Sequence, residues 1–83
     1  MKKTIQNRMI EMFTAKGFKE IPSRNKYRMM QGEHAKNKTD KVYLFIGNNG
    51  AVRYNVNSLN AANSIGYTDR AKQRLELFER ENK

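Results

Sequence analysis

With 83 residues and no cysteine, the chain has the length of one small domain and no disulfide or zinc–thiolate staple. Its core is worth only a few kcal/mol net. No apolar run is long enough to span a bilayer and no signal peptide opens the chain, so a cytoplasmic protein without a membrane partner is expected. Lysine and arginine number 17 against 8 acidic residues, a net charge of +9, which selects polyanions as partners: nucleic acid first, an acidic protein surface second.

Thr4 is placed to N-cap a first helix. Ile5, Met9, Met12 and Phe13 follow the spacing of one buried stripe. Gly17 falls just after the C-cap and Phe18 where it meets Phe13, the pattern of a Schellman closure. Lys16 and Lys19 suit the negative end of that helix. Ile21 before Pro22 is held extended, and Ser23 to Asn25 forms a turn. Lys26 to Gln31 alternates as a first strand, with Tyr27 and Met29 on one side and Lys26, Arg28 and Met30 on the other. Arg24, Lys26 and Arg28 at spacing two form a basic ridge, either a solvated face or a set of phosphate contacts.

Gly32 to Asp40 is a polar loop carrying His34, Lys36 and Lys38. A lone histidine beside lysines makes no metal set, so no metal or cofactor is expected; the charge instead suits insertion into a nucleic-acid groove. Lys41 to Asn57 then reads as a β-hairpin. A two-residue Asn49-Gly50 turn pairs Phe45 with Tyr54. A three-residue loop, Asn48-Asn49-Gly50 with a left-handed glycine, pairs Phe45 with Arg53. The second register is preferred because it gathers Val42, Leu44, Ile46, Val52, Tyr54 and Val56 on one face. It predicts Val42, Leu44, Ile46, Val52 and Val56 buried together and Arg53 exposed.

Ser58 to Gly66 reads as one or two helical turns with a serine cap, closed by Gly66. Thr68 or Asp69 caps a last helix whose buried stripe is Ala71, Leu75 and Phe78. Arg70, Lys72 and Arg74 crowd its positive end while Glu76, Glu79 and Glu81 sit at its negative end, against the macrodipole. Basic residues at a helix start mark a candidate anion site.

The expected fold is α+β: a three-stranded antiparallel sheet, strand plus hairpin, with the N-terminal helix and the C-terminal helices on one face. The other face would present Lys26, Arg28, Tyr43, Phe45, Arg53 and Asn55, aromatic rings among cations as in single-strand-binding platforms. The same residue types also anchor protein interfaces. The order helix, three strands, helix resembles the double-stranded RNA-binding domain, and Gly32-Glu33-His34-Ala35-Lys36 looks like that family's Gly-Pro-x-His loop. Here the proline is absent, the histidine stands one residue early, and Ser58 to Gly66 interrupts entry into the last helix, so no motif of the family is intact.

No phosphate loop, nucleophile elbow or metal spacing occurs, and the few acidic residues are scattered, so a non-enzymatic protein is expected. The function read from the sequence is a basic module binding nucleic acid or a nucleoprotein. The alternative is a modulator or inhibitor of a larger nucleic-acid enzyme, docking in its acidic cleft. The candidate contacts are Arg24, Lys26, Arg28, Lys36, Lys38, Tyr43, Phe45, Arg53, Asn55, Arg70, Lys72 and Arg74.

Overall fold

The computed structural model describes residues 3–34, 36–67 and 70–81. Its elements are helix α1 (Ile5–Ala15), strands β1 (Lys19–Ile21), β2 (Arg28–Glu33), β3 (Lys41–Ile46) and β4 (Val52–Val56), a 3-10 turn (Ala61–Asn63), strand β5 (Ile65–Tyr67) and helix α2 (Arg70–Glu81). The strands form one antiparallel five-stranded sheet in the order β1-β2-β3-β4-β5. The expected three-stranded sheet is therefore corrected. Both added strands are edge strands of three residues, too short for an alternating pattern to show. β1 runs into Pro22, and β5 occupies the segment expected to be helical up to Gly66. In that segment Ser58 caps no helix: the Asn60 side chain accepts from Ala62 N–H and starts the single 3-10 turn.

α1 begins and ends as its sequence dictates. Thr4 Oγ1 accepts from Asn7 N–H at 3.1 Å. At the other end Phe18 N–H reaches Phe13 C=O and Gly17 N–H reaches Thr14 C=O, each at 3.0 Å, the paired bonds of a Schellman motif. The Phe13 and Phe18 rings meet edge to face, 5.6 Å apart. Met9, Ile10, Met12 and Phe13 are buried; Ile10 widens the expected stripe.

The hairpin adopts the three-residue loop. Gly50 N–H bonds Gly47 C=O, Gly47 N–H bonds Ala51 C=O, and Gly50 has φ +81°. Phe45 pairs with Arg53 and Leu44 with Tyr54. A side chain on Gly50 would also collide with Ile5, whose Cγ1 lies 2.7 Å from the place a Cβ would take. Gln6 donates to the carbonyl of Ile46 at 3.0 Å, so the start of α1 is seated on this turn.

The main core lies between the helices and one sheet face: Met9, Ile10, Met12 and Phe13 of α1, Leu75 of α2, and Met30, Leu44, Ile46 and Val52 of the sheet. Phe78 packs against it; Ala71's side chain and the Thr68 or Asp69 cap lie outside the described residues. Three side chains of the hairpin depart from expectation: Arg53, expected to be exposed, is half-buried, and two valines expected to be buried are not. Val42 is half-buried and Val56 is 41% exposed, because β5 pairs only with residues 52–54 and leaves the end of β4 without a neighbour. Glu79, set against the dipole of α2, has a partner across the helix pair. Arg8 donates to both its oxygens, at 2.9 and 2.5 Å, and this bonding and charge raise the Arg8 pKa further above its usual range.

The second face of the sheet is also covered, by loops. Residues 24–27 bend over it instead of extending the strand, and Tyr27 meets Phe45 edge to face at 6.2 Å. Ser23 and Asn25 hold this bend, Ser23 Oγ donating to Tyr27 C=O at 2.5 Å and Asn25 Oδ1 accepting from Tyr27 N–H at 2.9 Å. From the other side, Arg53 donates to Ser64 Oγ and Ser64 C=O, both at 2.6 Å. Asn55 donates to Asn60 C=O at 2.6 Å. Phe45 and Met29 are buried beneath these loops, Phe45 completely.

Candidate functional site

The loops take apart the aromatic–basic platform expected on this face. Phe45 has no exposed surface and Asn55 is 8% exposed, so neither offers a ring or an amide to a ligand. Arg53 is half-buried and spends its donors on Ser64, the price of holding the 60–64 segment on the sheet. Arg28 points to the opposite face, because β2 begins there in register with Ile46. It bonds Asn7 of α1 and forms an ion pair with Glu20 at 2.8 Å. That bonding, more than the charge itself, lowers the Glu20 pKa below the usual carboxylate value. Arg24 and Lys26 are exposed in the bend before β2, so no ridge at spacing two forms with Arg28. Lys26 lies over its neighbour Tyr27, 5.5 Å from the ring centroid.

Tyr43 remains half-buried, in the row Gln31–Tyr43–Asn55. Lys72 and Arg74 are exposed on α2; Arg70 opens that helix, and its side chain lies outside the described residues. Lys36 and Lys38 are exposed in the β2–β3 loop. His34 Nδ1 accepts from the backbone N–H groups of Lys36 and Asn37 at 3.1 and 3.3 Å, which shapes that loop. Among the described residues no three metal-binding side chains converge.

What the fold brings together is a different set of cations. Glu33 of β2 pairs with Lys41 of β3, and His34 N–H bonds Asp40 C=O, so the loop bearing Lys36 and Lys38 leaves the sheet at this end. Lys19 starts β1 opposite Gln31 of β2, and Lys16 is the C-cap of α1 just before it. All five lysines are exposed. Lys36 and Lys38 were legible as a loop with excess charge. Lys16 and Lys19 read only as complements to the helix dipole and Lys41 as a strand start; no local signal joins them, since pairing across β1, β2 and β3 does so.

β1 is shorter than β2 on this side, and that difference makes a notch. Gly32 and Glu33, paired with β3 on one side, run past Lys19 with no β1 residue on the other, and the turn from Lys16 to Phe18 flanks the gap. The resulting cleft, about 370 Å³, is lined by Lys16, Gly17, Phe18, Lys19, Gln31, Gly32, Glu33 and Lys41. The Phe18 ring lies so close to Gly32 that a Cβ there would come within 2.4 Å of it, so the ring is seated on β2 on the core-facing side. Among the described residues Lys16, Lys19, Glu33 and Lys41 take part in no ion pair, and their charges face solvent.

No protein family model matches the chain, and comparison with curated proteins and with solved structures gives no match. No helix among the described residues is long and apolar enough to cross a membrane.

Proposed function

We propose that this chain is a small, non-enzymatic, basic module that binds nucleic acid through lysine contacts to phosphates. The observation that carries this reading is the arrival of Lys16, Lys19, Lys36, Lys38 and Lys41 at one end of the sheet, in a chain whose net charge is +9. A phosphate backbone rewards such a grouping, because each lysine that neutralises a phosphate releases a condensed counterion. Base stacking on Phe45 is no part of the mechanism, since that ring is buried.

The experiment is a salt titration of binding to single- and double-stranded DNA and RNA oligonucleotides, read by fluorescence anisotropy. About five phosphate contacts predict a loss of affinity on the order of 10²–10³-fold between 50 and 200 mM salt. Absence of binding to every oligonucleotide at 50 mM salt would overturn the reading. It would leave the acidic cleft of a protein as the partner.

A further inference from the structure

The cover on the second face of the sheet stops partway along the strands. Tyr27 closes over Phe45, and Asn60 holds Asn55. Pairing fixes what lies beyond them on the same face. Lys19, Gln31, Tyr43 and Asn55 stand opposite one another on β1, β2, β3 and β4, so their side chains share that face. Lys41, two residues before Tyr43, and its cross-strand partner Glu33 follow on it. Lys19, Glu33 and Lys41 are exposed, and Gln31 and Tyr43 are half-buried.

Tyr43 therefore differs from the ring two residues along the strand. Phe45 is completely buried, whereas Tyr43 keeps exposed surface and has no ring partner or hydrogen bond among the described residues. A tyrosine serving the fold alone is better placed with its ring covered and its hydroxyl paired. Cations flank this one, Lys41 about 7 Å along the strand and Lys19 about 10 Å away across two strand spacings. Glu33 offsets part of the Lys41 charge, and Lys36 and Lys38 in the loop between them restore the basic excess.

We propose that this open half of the face docks single-stranded nucleic acid, one base stacking on Tyr43 while Lys19 and Lys41 contact phosphates on either side. The assignment rests on the nucleic-acid reading above and deepens it by choosing single strand over duplex. A duplex keeps its bases stacked on one another, so a ring lying on a sheet reaches none of them. A single strand offers a free π-face at every nucleotide. The flanking lysines name the occupant, since the ring alone would suit a protein equally well.

The test compares a labelled twelve-nucleotide DNA strand, alone and annealed to its complement, at 50 and 200 mM salt. Stacking releases no counterions and the salt slope of a single strand is the shallower, so the wild type should bind the single strand more tightly at 200 mM. Tyr43→Leu should lower single-strand affinity about fivefold, the lower end of what one base–aromatic stack contributes. It should leave duplex affinity within about twofold, and Tyr43→Phe should bind both ligands as the wild type does. A merely structural Tyr43 would lower both affinities alike. In the wild type, the Tyr43 ring proton signals should move upfield on titration with the single strand, under the ring current of a stacked base. They should stay in place with the duplex.

Equal losses for the two ligands in Tyr43→Leu, or no loss for either, overturn the proposal and leave the nucleic-acid reading standing. So do tighter binding of the duplex at 200 mM salt and a Tyr43 ring signal indifferent to the single strand. Binding of neither ligand at 50 mM salt defeats the broader reading instead. The ring signal needs no variant, so misfolding of Tyr43→Leu would not shield the proposal.

Discussion

The two ends of the sheet are built on opposite terms. At the hairpin-turn end both faces of the sheet carry packed or bonded neighbours: Ile5 sits on Gly50, Gln6 bonds Ile46, and Tyr27 and Ser64 close over Phe45 and Arg53. Two ion pairs lie there, Arg28 with Glu20 and Arg8 with Glu79, beside the exposed Arg24 and Lys26 of the bend. At the other end the strands stop unevenly, a notch is left open, and five lysines stand in solvent. In a chain this small, stability is concentrated where packing and pairing coincide, and the unpaired charge is free for a ligand where they do not. The difference teaches that the buried aromatic residues of this sheet belong to the fold, and its lysines to whatever the fold presents.

The sharpest way to break this division is Phe45→Ala. A ring buried to this degree costs about 3–5 kcal/mol to remove, so urea unfolding should show the protein largely unfolded or severely weakened. A loss under about 1 kcal/mol would mean that the loop-covered face is no second core. Next comes Gly50→Ala, which combines a left-handed backbone penalty of about 1–2 kcal/mol with overpacking against Ile5 of about 1–3 kcal/mol. Gly66→Ala has open space around it and should stay within about 0.5 kcal/mol of the wild type. Equal unfolding midpoints for these two variants would contradict the seating of α1 on the turn.

The smallest effect concerns the matched charges. The Glu20 pKa is lowered in the folded protein by its bond from Arg28. Its contribution is therefore complete above the unfolded carboxylate value of 4.5 and is lost as the pH falls through the lower folded value. Both side chains are more than a third exposed, at 37% and 41%, and solvent screening limits the contribution to a few tenths of a kcal/mol. Thermal melts at pH 6 and pH 3 should show a slightly smaller acid loss in Arg28→Gln than in the wild type. An identical loss would mean that the pair does not persist in solution.

How far the sequence revealed these two ends follows from the range of the forces involved. Thr4, Gly17 with Phe18, and Asn48-Asn49-Gly50 act over a few residues, so the limits of α1 and the hairpin register could be read directly. Phe45 and Asn55 were correctly assigned to the face away from the helices. Their burial there was not legible, because the cover comes from Ser23–Tyr27 and Asn60–Ser64, which carry no apolar periodicity and are held by side-chain-to-backbone bonds. β1 and β5 were hidden for a related reason, being edge strands too short to alternate. Of the candidate site, Lys36 and Lys38 were visible as a charged loop, whereas Lys16, Lys19 and Lys41 become neighbours only once β1, β2 and β3 pair. Arg28 was misplaced because alternation within the strand does not say which side faces the helices; that is set by pairing with β3, which puts Arg28 opposite Ile46 and Met29 opposite Phe45.

The most direct test of the division is to neutralise the open end alone, with Lys16→Gln, Lys19→Gln and Lys41→Gln combined. Oligonucleotide affinity is then measured against salt, beside the unfolding midpoint. The variant should unfold within about 0.5 kcal/mol of the wild type, since exposed lysines outside ion pairs add little to the fold. Its plot of log affinity against log salt should be shallower by about 2–3, near 0.9 for each phosphate contact removed from duplex and 0.7 from single strands. An unchanged slope with unchanged stability would contradict the account, because the lysines gathered at this end would then serve neither the fold nor a phosphate ligand.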